Sequence, residues 1–182
     1  MNEKQLVDRV IGGDTSAFGY FVDQYQDMAV TIAFRLCGNR QDAEDIVQNA
    51  FVKAFHNLHT FRASSKFSTW FYRIVYNTAI TEIRSRKLTS DIDNMQLAEP
   101  TDTFVDWDAI QTIERKERES MLESAMQKLP PDENLLLSLY YLEENSIKEI
   151  AEIVGLTDSN IKVKLHRARK RLATLLEPVL QY

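Results

Sequence analysis

The chain has 182 residues, 44% of them hydrophobic and 27% charged, which suits one ordinary domain or two small ones with real cores. Only 5 Gly and 4 Pro exclude a fold built on hairpins and tight turns and point to an all-α protein. The net charge of −5 comes with no apolar run of about eighteen residues and a polar start, so neither a membrane span nor a signal peptide is expected. A cytoplasmic location is the expectation.

Taken in chain order, Leu6, Val7, Val10 and Ile11 recur at helical spacing and stop at Gly12-Gly13. Asp14 can cap a second helix, whose apolar positions Phe18, Phe21, Val22, Tyr25, Ile32 and Leu36 keep a helical period for five turns. Gly38 suits a left-handed helix end and Asn39 a new cap. The third helix carries Ala43, Ile46, Val47, Ala50, Phe51, Ala54 and Leu58 on its buried side. Its first turn holds Asp42, Glu44 and Asp45, which complement the positive end of a helix without any partner. Gln48, Asn49 and Lys53 extend that polar face into a surface that could dock on another protein.

A loop from Phe61 to Lys66 leads into a fourth helix, about 68–87. Here Phe67, Trp70, Phe71, Tyr72 and Tyr76 alternate with Arg62, Lys66, Arg73, Arg84, Arg86 and Lys87. Phe71, Ile74, Val75 and Thr78 share the face expected to be core. Trp70, Arg73, Asn77 and Arg84 share another, where rings can stack on unpaired bases, amides read edges and guanidinium groups hold phosphate.

Residues 88–108 break the period and read as an inter-domain linker, with Phe104, Val105 and Trp107 as candidate anchors. The acidity concentrates nearby: residues 88–133 hold 12 acids against 4 bases, whereas 1–87 carry +2 and 134–182 carry +1. Helical character returns from about Asp108 to Leu129 and breaks at Pro130-Pro131. Helices near 132–142, 146–154 and 158–176 follow.

Ser146-Ile147-Lys148-Glu149 fits a capping box, and Gly155-Leu156-Thr157 supplies the short turn of a helix-turn-helix. In the last helix Ile161, Leu165, Ala168, Leu172, Leu175 and Leu176 form one core stripe. Opposite lie Ser159, Asn160, Val163, His166, Arg167 and Lys170, flanked by Lys162, Lys164, Arg169 and Arg171. From Ser159 to Leu176 there is no acid, where an ordinary exposed helix mixes signs. Such a helix suits a major groove: Asn160 could pair with adenine, Arg167 with guanine or phosphate, and Val163 could meet a thymine methyl.

Metal and cofactor chemistry is not expected. Cys37 is alone, His56, His59 and His166 are not grouped with acids, and no phosphate loop or nucleophile elbow occurs, so an enzyme is not expected. A self-sufficient helix-turn-helix repressor or activator would need strong phosphate neutralisation of its own, which −5 disfavours. A purely structural helical adaptor leaves the acid-free helix unexplained.

Three segments together resemble one family, the sigma factors of the extracytoplasmic-function (ECF) subfamily. Gly38-Asn39 and Asp42-Ala43-Glu44-Asp45-Ile46-Val47-Gln48-Asn49-Ala50-Phe51 resemble its region-two core-binding motif. Phe67-Ser68-Thr69-Trp70-Phe71-Tyr72-Arg73-Ile74 with Asn77 resembles its promoter-melting segment, and Glu149-Ile150-Ala151-Glu152 through His166-Arg167-Ala168-Arg169 its region-four helix-turn-helix. This chain departs from the family at Thr81, where an acid is common, in the thin basic run Arg84-Ser85-Arg86-Lys87, and at Asp158-Ser159-Asn160-Ile161.

The resemblance implies two small helical domains, 1–88 and 109–182, joined by an acidic linker at 89–108. It implies binding to core RNA polymerase through Asp42, Glu44, Asp45, Gln48 and Asn49. Melted minus-ten DNA would be taken by Phe61, Ser64, Ser65, Phe67, Trp70, Arg73, Asn77 and Arg84. Double-stranded minus-thirty-five DNA would be read by Ser159, Asn160, Lys162, Val163, His166, Arg167 and Lys170. An anti-sigma factor is a further expected partner.

Overall fold

The structure, a computed structural model, describes residues 3–62, 64–89 and 115–180. Within them all regular structure is helical: α1 (Glu3–Ile11), α2 (Gly19–Cys37), α3 (Arg40–His56), α4 (Phe67–Thr89), α5 (Arg115–Gln127), α6 (Pro131–Tyr141), α7 (Ile147–Val154) and α8 (Asp158–Leu180). Two single 3-10 turns, Thr15–Phe18 and Leu58–Thr60, join them. The expected linker, with its anchors Phe104, Val105 and Trp107, lies outside the described residues except for Leu88 and Thr89, which continue α4.

Helices α2, α3 and α4 pack mutually, with α1 closing one end through the first 3-10 turn. Their core is aromatic. Phe21 stacks on Phe67 with ring centroids 4.1 Å apart, Phe51 stacks on Phe71 at 4.5 Å, and all but Phe51 are fully buried. Each fully buried ring stabilises the fold by about 1.5–3 kcal/mol of transferred surface, with something extra for the ring geometry. Facing alanines Ala29, Ala33, Ala43, Ala50, Ala54 and Ala79, all buried, let the helices approach closely.

Helix α8 packs on α5, α6 and α7, and Ile161, Leu165, Ala168, Leu172 and Leu176 are buried along the expected stripe, with Leu175 half-buried. Ser146 caps α7 as its sequence requires: its hydroxyl accepts from the Glu149 N–H at 3.3 Å, and the Ser146 N–H donates to the Glu149 carboxylate at 2.8 Å. Gly155 ends α7 with φ 70°, and Gly38 ends α2 with φ 71°. Both lie in the left-handed region where a Cβ is strained.

Two local expectations need correction. Asp14 does not cap α2, because a 3-10 turn intervenes and its carboxylate is engaged by the Arg9 guanidinium and the Ser16 hydroxyl, each at 2.6 Å. These two groups also hold its carboxyl below the usual carboxylate range, the Ser16 hydrogen bond most of all. Leu58 is buried, but in the 3-10 turn after α3 rather than on the helix.

The two glycine types give a direct contrast. Gly155→Ala destabilises the fold by about 1 kcal/mol, because alanine is strained at positive φ. Gly19→Ala, at an ordinary helical φ of −52° with open space around the added carbon, is neutral or stabilising by up to about 1 kcal/mol. Urea midpoints of the two variants measure the difference.

Candidate nucleic-acid interface

On α4 the aromatic core decides what faces outward. Phe67 is buried against Phe21 and lies 5.4 Å from Trp70, so it supports the face from below and does not present its own ring. Phe61 and Trp70 are half-buried neighbours at 5.6 Å. Arg73, Asn77 and Arg84 project to solvent on the same side, and Ser64 is exposed and Ser65 half-buried in the preceding loop. Phe71 and Val75 are buried on the core side, and buried Thr78 and half-buried Ile74 lie between that side and Trp70.

Beside Trp70 and Asn77 lies a polar pocket of about 360 Å³ between α3 and α4. Lys53, Asn57, Thr60 and Thr81 complete its lining together with Ile74 and Thr78. Lys53 donates to the Thr78 hydroxyl at 3.2 Å, and the Asn57 amide donates to the Lys53 carbonyl at 2.8 Å. Sequence reasoning missed Asn57 and Thr60, which follow α3 where its periodicity ends. Only their polar type hinted at a role.

The acids of α3 are not equivalent. The Asp42 N–H donates to the Asn39 Oδ1 at 3.1 Å, which caps α3, while the Asp42 carboxylate pairs with Arg86 of α4. Glu44 pairs with Arg40 at 2.9 Å. Asp45, Gln48 and Asn49 are exposed, and among the described residues they show no side-chain hydrogen bond or ion pair. These three form the open part of the polar face.

On α8, Ser159, Asn160, Lys162, Val163, His166 and Arg167 are exposed and Lys170 is half-buried. The Asn160 N–H donates to the Thr157 hydroxyl at 3.3 Å, which fixes the first turn. Flanking cations are held from behind: Lys164 pairs with Asp132 at 2.6 Å, and the Arg169 guanidinium lies 5.0 Å from the Tyr140 ring centre and donates to the Tyr141 hydroxyl at 2.8 Å. Arg171 approaches the buried Glu133 at 3.4 Å, while burial raises the Glu133 carboxyl above its ordinary value. The face left open is cationic and amide-bearing.

No group of three or more potential metal ligands occurs among the described residues. None of their helices is long and apolar enough to cross a membrane.

Two helical units, one ending in an aromatic and basic helix and one in a helix-turn-helix, define a two-part DNA-binding transcription factor. Residues 21–89 match the family model for Sigma-70 region 2, and residues 119–172 match that for Sigma-70, region 4. The chain is 33% identical to the ECF RNA polymerase sigma factor SigW of Bacillus subtilis, over 93% of this chain and 94% of the relative. It is 33% identical to the RNA polymerase sigma-H factor of Pseudomonas aeruginosa, over 98% and 96%. A sigma factor RpoE solved with the anti-sigma factor NepR from Bartonella quintana shares the fold with a TM-score of 0.64, at 22% identity over 88% of this chain and 96% of that one. The chain belongs to the ECF RNA polymerase sigma factors.

Glu149 links the capping box to Lys66 of the loop before α4, at 2.8 Å. Burial alone would raise its carboxyl, but the Lys66 ammonium and the Ser146 hydroxyl and N–H outweigh it and bring it down from 4.5 to about 2. A carboxyl depressed in the folded state stabilises above its unfolded value, and that contribution is lost as pH falls from 4.5 towards 2. Glu149→Gln therefore lowers stability at about pH 7 and flattens its loss on acidification below about pH 4.5. Urea titrations of both proteins across that range check this.

Proposed function

We propose that this sigma factor divides promoter recognition between its two units. The exposed side of α3, chiefly Asp45, Gln48 and Asn49, with Asp42 and Glu44 behind them, docks on core RNA polymerase. Phe61, Ser64, Ser65, Trp70, Arg73, Asn77 and Arg84, resting on Phe67, receive the minus-ten element as melted single strand. A base leaving the stack enters the pocket beside Trp70, where the Asn77 amide reads its edge and Asn57 and Thr60 line the wall. The open face of α8, with Ser159, Asn160, Lys162, Val163, His166, Arg167 and Lys170, reads the minus-thirty-five element in the major groove.

One observation carries this reading: a single chain pairs an exposed α8 face, without an acid from Ser159 to Leu176, with an aromatic, amide and guanidinium face on α4. The first suits duplex and the second suits unstacked bases. The overall charge of −5 supports dependence on the polymerase for DNA affinity. The chain acts as a non-enzymatic subunit inside the cell and needs no cofactor. An anti-sigma partner is part of the proposal, supported by the shared fold with a sigma factor solved in such a complex.

Three variants test the assignments. Asp45→Arg lowers co-purification with core polymerase at least about tenfold with an unchanged circular-dichroism spectrum, and wild-type recovery would remove α3 from the interface. Trp70→Ala reduces permanganate reactivity of promoter thymines about tenfold while closed-complex formation stays within about twofold, since one stacked base is worth about 1–3 kcal/mol. Asn160→Ala changes the preferred base at one minus-thirty-five position by about 1–3 kcal/mol of discrimination, read from competition among promoter variants.

A further inference from the structure

Helix α8 carries no acid from Ser159 to Leu176, yet one of its edges meets two acids from the first turn of α6, Asp132 and Glu133. The two contacts differ in kind. Glu133 is buried and approaches Arg171 at 3.4 Å within the packing of α6 on α8. The Lys164 ammonium donates to the Asp132 carboxylate at 2.6 Å, with side chains 39% and 56% exposed. This second pair lies open to water, where an ion pair contributes little to stability and parts readily. Its place on the helix therefore matters more than its strength.

Lys164 stands one helical turn from both Asn160 and Arg167, at spacings of four and three, so it borders the open face of α8. A helix seated in a major groove has phosphates along its edges, and a lysine there is a point charge on a flexible stem that can reach one. Here that charge is already engaged by a carboxylate. We propose that Asp132 sets the affinity of α8 for duplex DNA, its carboxylate standing in for a phosphate on Lys164. The proposal rests on the assignment of α8 to the minus-thirty-five element.

Duplex that reaches this edge either displaces the carboxylate from Lys164 or docks beside a pair already neutralised. Both routes cost the protein about one phosphate contact. Phosphates carry no sequence information, so Asp132 weakens binding to every duplex alike. Discrimination is left to the side chains that reach base edges, Asn160 and Arg167 among them. An acid in the first turn of α6 also complements the positive end of that helix, but this role acts on stability and leaves the salt dependence of DNA binding untouched.

The test measures promoter binding by the full chain assembled with core polymerase, over a range of salt and at a temperature too low for DNA opening. Asp132→Asn is expected to steepen the slope of log affinity against log salt by about 0.9, as one further phosphate contact requires. That slope corresponds to about fivefold tighter binding at about 0.15 M salt. Asp132→Ser gives the same gain, so the result does not hang on the folding of one variant, and Asp132→Glu, which keeps the charge, restores wild-type behaviour. In a chain that already carries Lys164→Ala, Asp132→Asn changes neither slope nor affinity. Unchanged slope and affinity in both neutral variants, or a gain that persists without Lys164, overturns the proposal. Arg167→Ala tells its failure from that of the underlying assignment. If Arg167→Ala weakens binding while Asp132→Asn does nothing, only the role of Asp132 falls; if Arg167→Ala leaves binding unchanged, α8 is not the helix that meets the duplex.

Discussion

The aromatic stack from Phe21 through Phe67 and Phe71 to Phe51 fixes the rotation of α4, and most of the first unit depends on that rotation. With Phe67, Phe71 and Val75 buried, the 100° step of the helix turns Arg73 and Asn77 outward and leaves Trp70 at the edge. Tyr72 then points to the other unit, where its hydroxyl meets Glu143. A turn of α4 by one residue would bury guanidinium groups and expose phenyl rings, which costs several kcal/mol per buried unpaired charge. The side chains that α4 presents to solvent are thus a consequence of core packing.

Charge is organised on a finer scale than the total suggests. A net −5 coexists with an α8 face that has no acid, because the acids sit on other surfaces and two of them pair with cations flanking that face. Asp132 holds Lys164, Glu133 faces Arg171, and Tyr140 with Tyr141 holds Arg169. Asn160, Lys162, His166 and Arg167 remain on the open side.

Helix identity, the Gly38 and Gly155 ends and the Ser146–Glu149 box were legible because local chemistry determines them within one or two turns. The core stripe of α8 was legible because burial on that helix has a strict helical period. Asp14 misled, since a side chain fit to cap a helix can equally bind Arg9 and Ser16 when the backbone first makes a 3-10 turn. Phe67 was read among the residues that take minus-ten DNA, yet ring stacking with Phe21 draws it into the core, a choice that sequence spacing does not encode. The polar pocket and the contact between the units were invisible for a related reason: Lys53 and Thr78 are 25 positions apart, and Tyr72 and Glu143 are 71 apart. Such contacts follow from tertiary packing and leave no periodic trace.

On the proposed division of labour, DNA recognition by this chain is conditional on core polymerase. Footprinting on a promoter that it transcribes, with the chain alone, core enzyme alone and the two together, tests this most directly. Protection spanning both promoter elements only when both proteins are present is the predicted result. Site-specific protection by the chain alone at the same concentration and salt would contradict it and make the protein a self-sufficient DNA-binding regulator.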